Sequence, residues 1–295
     1  MRTYPFWQVD AFTRTPLGGN AAAIVFDADD LSEAEMQALA VEMNLSETAF
    51  VMRSSRADFR VRYFTTAEEI PLAGHPTIAT FHALAEAGRI TGEGRITVTQ
   101  ELGIGVLPVS LDLWDGKPQR VIMTQQAPRF LRVYDPAPYA AALRLTPDDL
   151  LPDVPVQTVS TGTPQLMIPL KSLDALRRVT PDETALLQLR AEGDWFSLHT
   201  FTLETLDPAN ATHARHFAPG DGMFEDPVTG SATGNMAAYL FHYGLETRRA
   251  FTAEQGHLMN RPGLVDVELD GTPEAISAVR IAGSAVTVIR GELYL

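Results

Sequence analysis

Short apolar runs separated by turn residues dominate the first half of the chain, and this pattern predicts β-strands. Only two stretches predict a convincing helix. One follows the capping-box pair Ser32 and Glu35 and continues to about Met43, and the other opens at a glycine loop near Gly74. The predicted strands of this half are 6–12, 21–26, 48–52, 59–64, 96–98, 104–113 and 121–124.

The second half repeats this order of elements. A glycine turn and a buried strand precede two helices, a strand, a second glycine loop with its helix, and further strands. A stretch rich in Pro and Ala, 128–138, predicts the boundary between the halves. Because 295 residues suit two domains of ordinary size, we predict domains at 1–127 and 128–284. The predicted elements of this half are helices 173–179 and 182–191 and strands 156–159, 166–170, 196–203, 265–269, 278–282 and 285–295.

Each half contains one glycine loop that opens a helix. Pro76 suits the first position of the earlier helix, and Ser231 is the predicted N-cap of the later one. Gly88 and Gly244 are the predicted ends. The two units either have similar caps by coincidence or belong to a duplicated fold in which both helix N-termini face one cleft. Such N-termini carry roughly half a positive charge and suit a carboxylate or an oxyanion.

Composition narrows the class of protein. The net charge of −14 and the scattered basic residues argue against a nucleic-acid or anionic-membrane surface. There is no signal-peptide pattern and no apolar run of membrane-span length, so a cytoplasmic protein is expected. The chain has no cysteine, which excludes disulfides, thiolate nucleophiles and cysteine metal sites.

Four side chains are candidates for chemistry because they lie where the loops are expected to converge: Glu47, His75, Asp226 and Ser231. A shielded carboxyl group or an imidazole can take and return a proton, and a hydroxyl can hold developing charge. Each also has a structural interpretation. Glu47 suits a solvated loop, His75 and Ser231 suit helix caps, and Asp226 before a proline suits a turn.

A metal-dependent hydrolase is the rival interpretation. The spacing of His213 and His216 is compatible with two ligands on a helix, but no third ligand completes a known motif. A serine hydrolase is disfavoured because the run 230–234 does not match the Gly-x-Ser-x-Gly elbow. No Walker loop or dinucleotide fingerprint is present.

Several runs, taken together, resemble the PhzF (phenazine biosynthesis-like) family. The residues that carry the resemblance are Val9-Asp-Ala-Phe-Thr, Gly19-Asn20, Leu45-Ser-Glu-Thr-Ala-Phe-Val, Ala73-Gly-His-Pro-Thr, Glu225-Asp-Pro-Val-Thr-Gly-Ser-Ala and Gln255-Gly-His. The resemblance implies the α+β fold of diaminopimelate epimerase, with two similar domains that each wrap a curved, mostly antiparallel sheet around a central helix. It also implies that the last strand, 285–295, returns to the first domain.

The same resemblance implies an isomerase in which a glutamate, matched by Glu47, transfers a proton on a small carboxylate-bearing substrate. His75 and Asp226 match residues that support the transfer, and Asn20, Gly74, Gly230 and Ser231 match substrate-binding positions. No cofactor or metal, and a homodimer, are expected. Epimerases of this fold use two cysteines, and Ala73 and Thr229 stand at those positions. A protein that binds a small molecule without turnover is the alternative.

Overall fold

The computed structural model describes residues 1–220 and 224–295 of an α+β protein dominated by strands. The chain divides into two compact units. The first contains Met1–Thr124 and Ala282–Leu295, and the second contains Gln125–Ile281. Among the described residues, no helix has both the length and the apolar character that a membrane span requires.

The first unit contains nine strands and two helices, which are bounded as follows. The strands are β1 (Thr3–Ala11), β2 (Asn20–Val25), β3 (Thr48–Met52), β4 (Phe59–Phe64), β5 (Glu69–Ile70), β6 (Gly94–Leu102), β7 (Gly105–Trp114), β8 (Lys117–Gln125) and β18 (Ala285–Tyr294), and the helices are α1 (Glu33–Met43) and α2 (His75–Glu86).

Antiparallel pairs build most of the sheet of this unit, and two parallel pairs interrupt them. Strand β1 lies between β18 and β2, both antiparallel to it. Strand β2 pairs parallel with β3, and β4 pairs parallel with β6. Helices α1 and α2 make the two parallel crossovers, because strands that run in the same direction need a long connection.

Helix α2 forms the centre of the first unit. Every residue from His75 to Ala85 is buried, and the helix packs against β1, β2, β3 and β18. A helix that is buried on all sides lies inside a core. Its N-cap is Gly74, Pro76 lies in its first turn as predicted, and Gly88 follows its end at φ 71°.

In the second unit, the described residues form nine strands and four α-helices, which are bounded as follows. The strands are β9 (Arg129–Tyr134), β10 (Val156–Ser160), β11 (Pro164–Leu170), β12 (Ser197–Thr202), β13 (Thr212–Phe217), β14 (Glu225–Asp226), β15 (Ala250–Gln255), β16 (Gly263–Thr272) and β17 (Ala275–Gly283), and the helices are α3 (Pro136–Ala142), α4 (Leu173–Arg178), α5 (Glu183–Ala191) and α6 (Gly230–His242). The last two residues of β17 belong to the first unit.

The pairing pattern of the first unit recurs in the second. Strands β10 and β11 are antiparallel, β11 and β12 are parallel, and β12 and β13 are antiparallel. Strand β13 then pairs antiparallel with β14 and parallel with β15, as β4 does with β5 and β6. Helix α6 lies in the second of these crossovers and is buried from Ala232 to Phe241. The two units are therefore built to one plan.

Three local predictions for the second unit were wrong. The stretch 128–138 is not a linker, because β9 occupies most of it and pairs with β10. Ser231 is not the N-cap of α6; Thr229 holds that position, and Ser231 lies in the first turn. The run 212–217 is a strand rather than a helix. Successive side chains of a strand point to opposite faces, so His213 and His216 point in opposite directions.

Candidate active site

Glu47 and His75 lie in contact in the first unit. Oε2 of Glu47 is 3.2 Å from Nδ1 of His75, and the side chains are 19% and 7% exposed. Two further polar groups touch the imidazole. Nδ2 of Asn20 is 3.2 Å from Nδ1, and Oγ of Ser46 is 3.3 Å from Nε2. The structure therefore gathers three predicted residues and one, Ser46, that was not singled out.

The local fold explains how these side chains meet. Helix α1 ends at Met43, and its C-cap residue Asn44 has a left-handed backbone (φ 51°) that turns the chain towards β3. Glu47 directly precedes β3, which pairs parallel with β2, and Asn20 is the first residue of β2. His75 is the first residue of α2. Two strand starts and one helix start thus supply the acid, the amide and the imidazole.

The contacts around Nδ1 of His75 determine where a proton is held. The amide nitrogen of Asn20 only donates, so it requires a lone pair on Nδ1, whereas an ionised carboxylate only accepts and requires a proton there. A protonated carboxyl group of Glu47 leaves the lone pair of Nδ1 available to Asn20, but this single lone pair cannot serve both donors fully. When the proton moves to Nδ1, the contact with Glu47 becomes charge-assisted and the contact with Asn20 is lost. The cluster can hold one proton at either of two positions.

A buried hydroxyl network lies beside this cluster. The hydroxyl of Tyr63 is 2.7 Å from Oγ1 of Thr77 and 3.0 Å from Oε1 of Gln100, and Thr77 donates to the carbonyl of Ala73. Burial raises the pKa of Tyr63 above its usual range. Tyr63 is therefore a neutral support, and its bonds fix the first turn of α2.

A second polar group forms around the N-terminus of α6. Oγ1 of Thr229 donates to Oδ2 of Asp226, and the backbone N–H of Thr229 donates to Oε1 of Gln255 (3.0 Å). Nε2 of Gln255 also donates to the carbonyl of Asp226 (2.8 Å). Because the Thr229 hydroxyl donates its hydrogen bond to Asp226, it does not cap the N-terminus of α6. The sequence did not predict that Gln255 bonds to this loop, because the contact depends on β15 lying beside β13.

Ser231 is held from the side of β11. Its Oγ accepts a hydrogen bond from Nε2 of Gln165 (3.1 Å), and Oε1 of Gln165 accepts one from Nδ2 of Asn235 (2.6 Å). The Asn235 side chain is fully buried, and its Oδ1 accepts from the backbone N–H of Thr161 (2.7 Å). Asn235 and Gln165 were not predicted, because a polar residue inside an apolar helix gives no sign of its partner.

Two charged residues anchor the loop that carries Asp226. The guanidinium of Arg215 binds the carboxylate of Glu225 through two hydrogen bonds (2.8 and 2.9 Å). The same guanidinium donates to the carbonyls of Leu176 and Val179. Such a bidentate, partly buried ion pair fixes the orientation of the Glu225 side chain as well as its position. The remaining predicted positions lie where the helices begin: Gly74 is the N-cap of α2, and Gly230 is the first residue of α6.

The pair of histidines on which the alternative metal-dependent hydrolase rested does not form a metal site. His213 and His216 lie on opposite faces of β13, and His216 instead contacts His199, with 3.3 Å between their Nδ1 atoms. Burial lowers the pKa of His216 to about 3. The hydrolase interpretation that rested on this pair is therefore wrong.

Comparison with known proteins gives the class to which this fold and these residues belong. The model of the phenazine biosynthesis-like protein family, PhzC-PhzF, matches residues 9–291. The isomerase YfhB of Bacillus subtilis is 37% identical over 279 residues, which are 94% of each chain. The trans-2,3-dihydro-3-hydroxyanthranilate isomerase of Pseudomonas aeruginosa is 34% identical over 97% of this chain and 98% of its own.

A solved structure agrees over the whole length. The PhzF-family phenazine biosynthesis protein of Bacillus anthracis superposes with a TM-score of 0.91 at 35% identity, covering 100% of both chains. The chain belongs to the PhzF family. It is an enzyme of the isomerase class, as the curated relatives are.

Proposed function

We propose that this isomerase moves a proton on a small, carboxylate-bearing substrate, with Glu47 as the acid and base. The observation that carries the proposal is the 3.2 Å contact between Glu47 and His75 in a largely buried cluster. A carboxyl group can remove a proton and return it, and the imidazole beside it is a neighbour that can exchange protons with it. No metal or organic cofactor is part of the proposed reaction.

Asn20 and Ser46 are proposed to set the resting state. The donor of Asn20 favours a lone pair on Nδ1 of His75, and Oγ of Ser46 then accepts a hydrogen bond from the N–H at Nε2. Glu47 then starts in its protonated form and acts first as a general acid, after which its carboxylate removes the proton that the product must lose. Asp226 is proposed to support this transfer.

The substrate carboxylate is proposed to bind where helix N–H groups are available. Neither α2 nor α6 is capped by the side chain of its own N-cap residue, since Gly74 has none and Thr229 donates to Asp226. Backbone N–H groups in a first turn and the helix dipole favour an anion. Gly74, Gly230 and Ser231 are the proposed binding positions.

The substrate of the Pseudomonas relative is the first compound to test. That protein is named for the isomerisation of trans-2,3-dihydro-3-hydroxyanthranilate, a small cyclic acid. A two-thiol exchange, in contrast, is chemically impossible here because the chain has no cysteine. One carboxyl group that works on one face of the substrate suits a hydrogen shift along a conjugated ring.

Replacing Glu47 by Gln tests the proposal. The amide keeps the size and hydrogen bonding of the side chain but cannot carry the proton, so kcat should fall by about 10²–10⁴-fold while ligand affinity changes little. Steady-state turnover of trans-2,3-dihydro-3-hydroxyanthranilate and related acids measures the loss.

Glu42→Gln is the matched control, because Glu42 is an exposed acid on α1. It should leave turnover unchanged. Equal activity of Glu47→Gln and the parent enzyme would refute the assignment of Glu47. Tight binding without turnover by the parent enzyme, across the whole panel, would favour a binding protein.

A further inference from the structure

A buried histidine–carboxylate pair lies in the second unit, and the proposed reaction does not use it. Nδ1 of His213, on β13, is 2.9 Å from Oε2 of Glu254, on β15. The two side chains are 3% and 1% exposed. A carboxylate this deeply buried is costly unless its oxygens are satisfied, so its partners show what it does.

Every partner of Glu254 is a donor from a neighbouring segment. Oε2 accepts from the backbone N–H of Leu206 (2.9 Å), and Oε1 accepts from the N–H of Asp207 and from Nδ2 of Asn210, both at 2.8 Å. With His213, four donors use its acceptor capacity. Glu254 is therefore ionised and fixed, and it holds the proton of His213 on Nδ1. The lone pair of His213 is left on Nε2.

A second histidine faces the first across a small cavity. The rings of His213 and His257 have centroids 4.8 Å apart. Both line a cavity of ≈ 20 Å³, and the other lining residues are Leu173, Leu176, Arg177, Leu206 and Leu258. That volume is about what one water molecule or one ion occupies. Glu254 does not line the cavity, so it stands behind His213.

His257 contributes a nitrogen without a protein partner. Its Nδ1 is buried and has no hydrogen-bond partner among residues 1–220 and 224–295. The backbone holds the residue in place, because the preceding Gly256 adopts φ 85° between the carbonyl oxygens of Arg261 and Pro227, where a side chain has no room. Three possible ligand atoms, one each from His213, Glu254 and His257, lie within 4.8 Å of one another.

We propose that His213 and His257 bind a divalent transition-metal ion of the kind that imidazole prefers, represented by Zn²⁺. Metal-bound histidines usually donate their other ring N–H to a carboxylate, which fixes the tautomer and the ring orientation. The pair His213 and Glu254 has that arrangement before any ion is present. His213 binds through Nε2, Glu254 orients it, and His257 supplies the second nitrogen. Water reaches the remaining positions when the exposed side chain of Arg177 turns to solvent.

Arg177 opposes this binding and so provides a sharp test. Its side chain lines the same cavity, and a positive charge there repels a cation. Arg177 is an exposed residue of α4, so its guanidinium can turn to solvent when an ion enters. Removing this charge strengthens the binding of a cation and weakens the binding of an anion. The two kinds of occupant therefore respond in opposite directions.

The site has a structural role rather than a part in the proton transfer. The segment 254–257 contains both His257 and Gln255, and Gln255 is hydrogen-bonded to Asp226 and Thr229. An ion held by His213 and His257 fixes this segment against β13. Bound metal therefore stabilises the second unit against unfolding, since a ligand that binds only the folded state shifts the equilibrium towards it.

The experiment is a Zn²⁺ titration of the full chain without an affinity tag, by calorimetry and by thermal unfolding. We expect one ion per chain and a rise in Tm. His257→Asn should weaken binding at least tenfold and remove the rise, whereas Arg177→Gln should tighten it. His242→Asn, which removes a histidine elsewhere in the second unit, should change neither quantity.

Cu²⁺ adds a spectroscopic measurement that does not depend on stability. Electron paramagnetic resonance should show hyperfine coupling to two imidazole nitrogens in the parent protein and to one in His257→Asn. Equal affinity of the parent protein and His257→Asn for Zn²⁺ would overturn the proposal. Weaker binding by Arg177→Gln would also overturn it, because that result would identify an anion site.

Discussion

At the scale of single residues, the imidazole of His75 is contacted by Glu47, Asn20 and Ser46. Position made Glu47 and His75 candidates, the resemblance to the PhzF family favoured them over structural roles, and the structure places them in contact. The sequence alone did not identify Ser46, Gln165 or Asn235 as partners. Their hydrogen bonds join segments that are distant in the chain, such as Gln165 and Asn235, and no local pattern reports them.

The two glycines Gly256 and Gly244 give a matched test of local backbone geometry. Both have positive φ, 85° and 69°, and both lie in the second unit. A Cβ at Gly244 meets nothing within 4 Å, whereas at Gly256 it would collide with Arg261 and lie 2.6 Å from the carbonyl oxygen of Pro227. Gly244→Ala should lower the free energy of unfolding by about 1–2 kcal/mol, because alanine is strained in a left-handed backbone.

Gly256→Ala should lower the free energy of unfolding by about 1–3 kcal/mol more than Gly244→Ala does, because the backbone around Gly256 must move. Urea unfolding of both variants measures the difference in the free energy of unfolding. Similar losses would show that the packing around Gly256 is looser than the structure describes.

At the scale of elements, capping signals were the most informative part of the sequence. The pair Ser32 and Glu35 forms a capping box at the start of α1, as predicted. Strand β9 and the strand 212–217 were missed, because proline and histidine spacing dominated the interpretation of those segments. Both are strands because neighbours pair with them: β10 with β9, and β12 with β13. Pairing of this kind is a tertiary effect.

The pairing of β12 with β13 also predicts how stability depends on pH. It buries His199 against His216. Burial, and then the neighbouring His216, lowers the pKa of His199 well below its usual value, and burial lowers that of His216 to about 3. Both rings are neutral in the folded protein. The unfolded chain binds protons below pH ~6.5, so stability is complete above that pH and decreases as the pH falls towards 3.

For His216 alone, the loss at pH 5 should be about 2 kcal/mol relative to neutral pH. His216→Gln removes the titrating group, so the free energy of unfolding should fall less between pH 7.5 and pH 5 than in the parent protein. Urea titrations at both pH values test this, with His242→Gln as the control for the loss of a histidine. A parent protein and His216→Gln variant with the same pH dependence would contradict the buried neutral pair.

At the scale of the whole molecule, the repeated order of elements predicted a duplicated fold. The two units show the same succession of antiparallel and parallel pairs, and each is built around one buried helix. The absence of cysteine excluded thiol chemistry from the beginning. The particular substrate does not follow from the sequence, since fold alone does not specify function. The homodimer stays a prediction.

The most direct test of the account is to incubate the protein with trans-2,3-dihydro-3-hydroxyanthranilate and related small acids in deuterated water and to record mass shifts by mass spectrometry. We predict one solvent deuterium in the product or recovered substrate for the parent enzyme, and none above background for Glu47→Gln. The same deuterium incorporation in both proteins would contradict the claim that the carboxyl group of Glu47 carries the proton.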